Sequence, residues 1–332
     1  MSTLAYARMT GVPYFHTPFR EIRFDDGKPD WAGRWERFFN LGEAETPLPA
    51  DAVVLDASQY IAAGRPADVV VKVPHCHNFI QSEGTADAYT PDLRASFRQK
   101  YDRGSEKPWS VAPSIALHIR RGDVSADNHK GRYTSDEQIL SDLKHFMQIS
   151  GSDLPVEVFS QGDPSQFDFL LPHAKIALHL NSDVFETLHR MVMAQGLIMG
   201  RSAFAYVAAL LTRGEVMTDI WYHRPLGEWW VPDPDGGKQR LSRLRAYKDR
   251  FARLSKAFAT DPGAVVAEIE SDPTYRAESP GARWLLAIAL RRVDRARARS
   301  IFEELAEGQS RYAKLAASFL RMRYYSKTRP HP

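Results

Sequence analysis

The segment Ser114-Ile115-Ala116-Leu117-His118-Ile119 is apolar and continues directly into the charged turn Arg120-Arg121-Gly122-Asp123. A short, continuous apolar run of this kind predicts a buried parallel strand. Ligands of open α/β sheets bind at the carboxyl ends of the strands, so we expect this turn to border a ligand crevice. Two adjacent arginines cannot both point into a core, and a guanidinium facing the crevice would match a diphosphate. The alternative is a surface turn with a simple Arg–Asp pair.

Strand-like and helix-like segments alternate on both sides of this turn. Apolar runs typical of buried parallel strands occupy 52–55, 69–73, 156–160, 175–180, 196–199 and 216–220. Segments with helical patterns lie between the later strands, at 135–149, 184–194 and 204–211. This alternation predicts an α/β fold built on parallel, doubly wound sheets.

Residues 236–332 change to a purely helical pattern and predict a helical C-terminal extension. Within it, 282–290 and 296–305 resemble one tetratricopeptide-like helix pair, followed by a capping helix. The many Arg and Lys residues of 238–258 are typical of a solvated basic face, and the alternative is contact with a membrane surface or an acidic partner. Trp221-Tyr222 and Trp229-Trp230 precede the extension and either stack on a sugar or pack between the domain and the extension.

The composition, with 43% hydrophobic and 26% charged residues, is that of a globular protein. A length of 332 residues suits two domains. A net charge of +3 does not by itself indicate nucleic-acid binding. Cys76 is the only cysteine, and neither a signal peptide nor a membrane-spanning run is recognisable, which together predict a cytoplasmic protein. The chain begins with a helix-like segment where an α/β domain would begin with a strand. We therefore expect either that the native start lies upstream or that this first strand has been lost.

Two further patterns bear on cofactors. His75-Cys76-His77 offers three metal-ligating side chains, but their close spacing does not suit one tetrahedral ion. Neither a Gly-x-Gly-x-x-Gly fingerprint nor a Walker loop occurs, which argues against a dinucleotide or ATP. The sequence therefore predicts no metal and no cofactor.

The turn resembles the His-x-Arg-Arg-x-Asp signature of the fucosyltransferase superfamily, which includes alpha-1,2-, alpha-1,6- and protein O-fucosyltransferases. Further segments resemble this family in the same order along the chain, over roughly residues 4–230. They are Tyr14-Phe15-His16-Thr17-Pro18-Phe19, the strand end Phe159-Ser160-Gln161-Gly162-Asp163, and the helix–strand–helix element of 186–211. The strand end departs from the family's Phe-Ser-Asp-Asp, and Ala203 and Ala205 stand where hydroxyls are common.

The resemblance implies a GT-B arrangement of two Rossmann-like domains, an acceptor-side domain at 1–110 and a donor domain at 111–235. It also implies metal-independent, inverting transfer of L-fucose from GDP-fucose to a glycan hydroxyl. Carried onto the matching positions, Arg120 contacts the β-phosphate and His118 lies near the nucleoside. The helix start Ser202-Ala203-Phe204 meets the pyrophosphate, with an ordinary N-cap as the alternative for Ser202. Arg121 and Asp123 complete the donor turn. The family often reads the base with an acid near the start of the preceding helix, and here Asp183, Glu186 and Thr187 share that place.

An inverting transfer also needs a general base near the acceptor hydroxyl. Asp127 and His129 follow the signature closely on a Gly-containing turn, and His16 could reach the site from the acceptor-side domain. Each of the three is alternatively a polar loop residue. Two other functions remain open: transfer from another nucleotide sugar, and a non-catalytic binding module that acts through its helical extension. The basic C-terminal helices also leave open a peripheral location at the inner membrane.

Overall fold

The computed structural model of the chain describes residues 1–20, 22, 27, 29–73, 76–77, 88–173, 175–233, 238–291, 294–308 and 310–326, the last six without their side chains. These residues form two compact units, an N-terminal unit (Met1–Leu226) and a C-terminal unit (Gly227–Pro332). Across the described ranges, no helix is both long and apolar enough to cross a bilayer.

The first half of the N-terminal unit carries four helices and a small parallel sheet among its described residues. The elements are α1 (Ser2–Thr10), α2 (Trp31–Phe39), β1 (Val54–Asp56), α3 (Ala57–Ala62), β2 (Val70–Lys72) and α4 (Pro91–Arg103). Val54 of β1 lies opposite Val70 of β2. The parallel pairing was predicted, but the predicted burial is wrong, because Val53 and Val54 are 58% and 43% exposed. Two strands of three residues have too few neighbours to be covered on both faces.

The second half forms a larger sheet in which the described strands are all parallel. Its elements are β3 (Ile115–His118), α5 (Asp136–Ser150), β4 (Val156–Ser160), β5 (Ile176–Leu180), α6 (Val184–Met193), β6 (Gly196–Met199), α7 (Ala203–Leu211) and β7 (Glu215–Thr218). The spatial order is β5-β4-β3-β6-β7, with Ile115 of the central strand paired to Val156 on one side and Gly196 on the other. The predicted α/β fold with a parallel sheet is confirmed.

Local signals set the bounds of the helices that connect these strands. Ser135 accepts a hydrogen bond from the Gln138 amide and begins α5, and Gly151, at a φ of 60°, ends it in the left-handed conformation. Asp183 accepts from the amides of Phe185 and Glu186 and begins α6. α6 and α7 therefore start and stop close to strand ends, whereas a longer segment, 119–135, connects β3 to α5.

An aromatic cluster joins the two halves of the N-terminal unit. Phe185 of α6 is completely buried, and its ring centroid lies 5.3 Å from Trp31, 4.3 Å from Trp35 and 5.2 Å from Phe38 of α2. Burial of such large rings is a main contribution to core stability. Helix α2, from residues 1–110, thus packs against α6, from residues 111–226.

The C-terminal unit is helical after one antiparallel strand pair. Its described elements are β8 (Trp230–Pro232), β9 (Lys238–Arg240), α8 (Leu241–Ala257), α9 (Pro262–Glu270), α10 (Pro273–Glu278), α11 (Pro280–Leu290), α12 (Arg295–Ala306) and α13 (Arg311–Ser326). The expected helix from residue 238 is wrong for its first three residues, which pair with β8. Asp261, Asp272 and Ser279 each cap a helix whose first position is proline.

Candidate functional site at the carboxyl ends of β3 and β6

The larger sheet reverses its direction of growth between β3 and β6. From β3 the chain adds β4 and then β5 on one side, and it then crosses to add β6 and β7 on the other. Such a reversal is a topological switch point, where open α/β sheets form a ligand crevice beyond the strand carboxyl ends. The two segments that leave the sheet at this point are 119–123 and 200–203.

Gly200 lets the ends of β3 and β6 approach each other closely. Its amide donates to the carbonyl oxygen of His118 over 3.0 Å. A Cβ at residue 200 would lie 2.7 Å from that oxygen and 3.1 Å from Nδ1 of His118. Glycine is therefore required by close backbone approach. Sequence reasoning did not single out Gly200, although a glycine directly after a buried strand is a signal of such an approach.

We expect Gly200→Ala to lower the free energy of unfolding by about 1–3 kcal/mol, because the added Cβ forces the two strand ends apart. Chemical denaturation measures this loss. Gly131→Ala is the matched control, since a Cβ there would meet nothing within 4 Å. Equal stability of the two variants would contradict the role assigned to Gly200.

His118 ends β3 as a buried, neutral imidazole. It is 8% exposed, and burial, followed by the nearby charge of Arg120, lowers its pKa to about 4. The imidazole is therefore uncharged at neutral pH. Its Nδ1 is buried and, within the described part of the chain, has no hydrogen-bond partner. The ring of Phe204, in the first turn of α7, lies 6.4 Å away between centroids.

Arg120 extends from the turn with one nitrogen in use. Its Nη2 donates to Oδ2 of Asp123 over 2.6 Å, and the side chain is 27% exposed. This hydrogen bond is the main reason that the pKa of Asp123 is lowered, and the charge of Arg132 lowers it further. Nε of Arg120 is buried and has no hydrogen-bond partner among the described residues. The Nη2 group of Arg120 is thus paired with Asp123, whereas its Nε–H is still available as a donor.

Arg121 lies on the inner side of the same turn and is fully engaged with the protein. Its side chain is 5% exposed. Nη2 donates to the Thr134 carbonyl over 3.0 Å and to Oδ1 of Asp136 over 2.8 Å, and the guanidinium carbon lies 4.5 Å from the centre of the Tyr133 ring. The turn therefore separates the two arginines, with Arg120 at the crevice and Arg121 holding segment 133–136.

The helix start after β6 adds two more polar side chains. Ser202 is 2% exposed, makes no side-chain cap for α7, and its Oγ has no hydrogen-bond partner in the described ranges. Arg201 donates from Nη2 to Asp219 over 3.2 Å and from Nη1 to the Gly131 carbonyl over 3.3 Å. Ala203, exposed, and Phe204, half-buried, complete the first turn of α7.

Four buried polar atoms thus flank the switch point, none with a hydrogen-bond partner among the residues described: Nδ1 of His118, Nε of Arg120, Nε of Arg201 and Oγ of Ser202. Three of them can donate, and the amide groups that begin α7 add the positive end of a helix. Buried polar groups are normally paired, so this concentration favours an anionic ligand with several acceptor oxygens. Sequence reasoning missed Arg201.

The other predicted site residues lie farther from the switch point or are engaged elsewhere. Glu186, in the first turn of α6, accepts from Nε of Arg190 over 2.8 Å and follows the edge strand β5. Asp127 and His129 are exposed in the loop after the turn, where the Ser125 amide donates to the Asn128 carbonyl. Both ring nitrogens of His16 are engaged, Nε2 with Glu36 at 2.8 Å and Nδ1 with the Tyr14 hydroxyl at 3.1 Å.

No cluster of metal-ligating side chains is found in the part of the chain that the structure describes. His75 of the His-Cys-His segment lies outside it. The candidate site is defined by its donors and by its place in the sheet. Comparisons of the chain with protein-family models, with curated proteins and with solved structures found no match.

Proposed function

We propose that the protein is a metal-independent, inverting glycosyltransferase that transfers L-fucose from GDP-fucose to a glycan hydroxyl. The observation that carries this proposal is that Arg120, Arg201 and Ser202 have buried donors without partners among the described residues, on the two segments that leave a parallel sheet at its switch point. A diphosphate is the ligand group that such donors and a helix start suit best. The resemblance of 118–123 to the fucosyltransferase signature supports the choice of donor.

In this proposal the arginines act on the leaving group. The bond from the sugar C1 to the β-phosphate oxygen breaks, and its electron pair leaves with GDP. Arg120 and Arg201 stand where this negative charge develops, so they stabilise the transition state more than the ground state. Asp123 keeps Arg120 oriented through the 2.6 Å hydrogen bond. Neutral His118 contacts the nucleoside without adding charge, and Glu186 is proposed to read the guanine.

The acceptor hydroxyl attacks C1 from the opposite side, forms the new C1–O bond and loses its proton to a general base. We place this base on the exposed loop that carries Asp127 and His129. The Nδ2 group of Asn128 in this loop donates to the Asp123 carbonyl over 3.3 Å, so the loop is tied to the turn that carries Arg120. His16 is a weaker candidate for the base because both its nitrogens are engaged.

The wider proposal is a GT-B arrangement in a cytoplasmic enzyme of bacterial glycan synthesis, with residues 1–110 on the acceptor side. The C-terminal helices would provide a contact with a protein or with the inner membrane. Exposed basic residues of α8 include Arg253, although it pairs with Glu268. A lipid-linked glycan acceptor would suit such a location.

Calorimetric titration with GDP and GDP-fucose, with UDP and ADP for comparison, tests the proposal. We expect Arg120→Ala to weaken GDP binding by about 30-fold or more, because a charged donor to the diphosphate is lost. Arg213→Ala is the matched control, since this arginine is 74% exposed, pairs with Asp102 and precedes β7 at the amino end of the sheet.

The other outcomes separate the alternatives. Preferential binding of UDP or ADP would indicate that the donor is another nucleotide sugar and not GDP-fucose. Binding of GDP-fucose without transfer to any acceptor, and without release of GDP, would favour a non-catalytic module. Absence of binding to every nucleotide would contradict the enzyme proposal for this chain.

A further inference from the structure

The segment that follows β7 borders the same crevice. β7 lies beside β6, and its carboxyl end leads through Asp219 into Ile220-Trp221-Tyr222-His223. The ion pair between Asp219 and Arg201, 3.2 Å long, ties this segment to the start of α7. The aromatic residues therefore lie next to the proposed diphosphate site, on the side away from β4 and β5.

The aromatic side chains of this segment form a supported platform. The His223 ring is stacked on Tyr206 of α7 with centroids 4.7 Å apart, and it meets Trp221 edge-on at 4.9 Å. The Tyr222 ring lies 5.1 Å from His223, and its hydroxyl is 2.9 Å from Nε2 of His77. The platform is thus supported by the stacking of His223 on Tyr206 of α7 and by the hydrogen bond between Tyr222 and His77.

The segment combines exposed apolar surface with a buried donor. Tyr222 and Ile220 are 54% and 56% exposed, although Tyr222 keeps its contact with His77. Nε1 of Trp221 is buried and has no hydrogen-bond partner in the described part of the chain. A buried donor of this kind costs free energy unless a ligand supplies an acceptor. A purely apolar ligand would leave the indole N–H unpaired, whereas a ligand with an apolar face and hydroxyl groups would satisfy both features.

The His223 ring adds no positive charge to the platform. Burial, followed by the charges of His77 and Arg132, lowers the pKa of His223 to about 4, so this imidazole is neutral at neutral pH. The platform therefore differs from the neighbouring donor cluster of Arg120 and Arg201, which suits a diphosphate. A sugar ring, neutral and amphipathic, is the ligand class that fits.

We propose that Trp221 and Tyr222 form a carbohydrate subsite that holds the acceptor glycan beside the reacting sugar. The assignment of the bound sugar as an acceptor rests on the proposed transferase function. The subsite itself rests on the exposed ring of Tyr222, the buried indole N–H and the support from His223.

Saturation-transfer NMR with N-acetyllactosamine, N,N′-diacetylchitobiose and methyl β-D-galactoside, recorded with and without GDP, tests the subsite. We expect Tyr222→Ala and Trp221→Phe each to reduce the sugar signal by about tenfold, since aromatic anchors dominate such contacts. The Phe variant keeps an aromatic ring, although a smaller one, and removes the N–H. Tyr60→Ala, which removes a half-buried tyrosine from α3, is the control and should keep the signal.

Calorimetry of GDP on the same variants distinguishes the two proposals. Loss of the sugar signal with GDP affinity within about twofold of the wild type supports an acceptor subsite. Equal loss of GDP and sugar binding overturns it in favour of a platform for the nucleobase. GDP binding to the wild type without a signal from any sugar also overturns it. Sugar binding that depends on Tyr222 in a protein that binds no nucleotide supports the subsite and contradicts the transferase.

Discussion

Phe185→Ala is expected to lower the free energy of unfolding of the N-terminal unit by about 3–5 kcal/mol, the range for deleting a fully buried aromatic side chain. Phe185 is completely buried and contacts three aromatic rings of α2, and the Arg34 guanidinium lies 4.4 Å from the centre of its ring. The substitution leaves a cavity that these rigid rings cannot fill by small rotations. It therefore removes the main link between α2 and α6.

Urea denaturation followed by tryptophan fluorescence measures the loss, because Trp31 and Trp35 contact Phe185 directly. Phe185→Leu should recover part of the stability by filling some of the cavity. Leu171→Ala, at a position 66% exposed, is the control and should change the stability by less than about 0.5 kcal/mol. A loss for Phe185→Ala as small as that of the control would mean that α2 does not pack on α6.

Arg121→Ala is expected to lower the free energy of unfolding by about 2–4 kcal/mol, since it removes charge-assisted hydrogen bonds of a buried guanidinium and leaves a half-buried carbonyl without its donor. The carbonyl is that of Thr134, and Asp136 loses its partner at 2.8 Å. Arg121→Lys should recover little, because an ammonium cannot reproduce a planar guanidinium whose Nη2 reaches both groups, whose Nη1 donates to the Arg120 carbonyl and whose plane lies over Tyr133.

Arg120→Ala is the adjacent comparison for this prediction. Its side chain is paired only with exposed Asp123 among the described residues, so its removal should change stability by about 0.5 kcal/mol or less. The two substitutions are therefore expected to act oppositely, Arg121→Ala on stability and Arg120→Ala on GDP binding. Thermal and chemical denaturation together with calorimetry on both variants checks this. Equal destabilisation by the two substitutions would contradict the separation of roles.

Much of the secondary structure and the α/β class could be predicted from the sequence. The apolar runs at 114–119, 156–160 and 196–199 form strands because alternation with polar, helix-forming segments leaves them no other way to be buried. The position of the charged turn after β3 also followed from the order of residues. These features are local, or depend only on the period of the apolar residues.

Burial and pairing partners could not be predicted in the same way. The apolar run at 52–55 has the composition of a core strand, yet Val54 is 43% exposed in the small sheet. Nothing in the sequence near Arg120 and Arg121 tells which of them is buried, because the answer depends on Tyr133 and Thr134 returning to the turn. The need for glycine at residue 200 likewise arises only because the His118 carbonyl lies beside it in the folded chain.

By itself, then, the sequence determined where most strands and helices of the N-terminal unit form and that a charged turn follows the strand at 115–118. Only the tertiary structure decided the order β5-β4-β3-β6-β7, and with it the meeting of His118 and Arg120 with Arg201 and Ser202. The physical reason is that strand formation depends on neighbours along the chain, whereas the desolvation and pairing of a polar group depend on neighbours in space. The proposed chemistry depends on the second kind of neighbour.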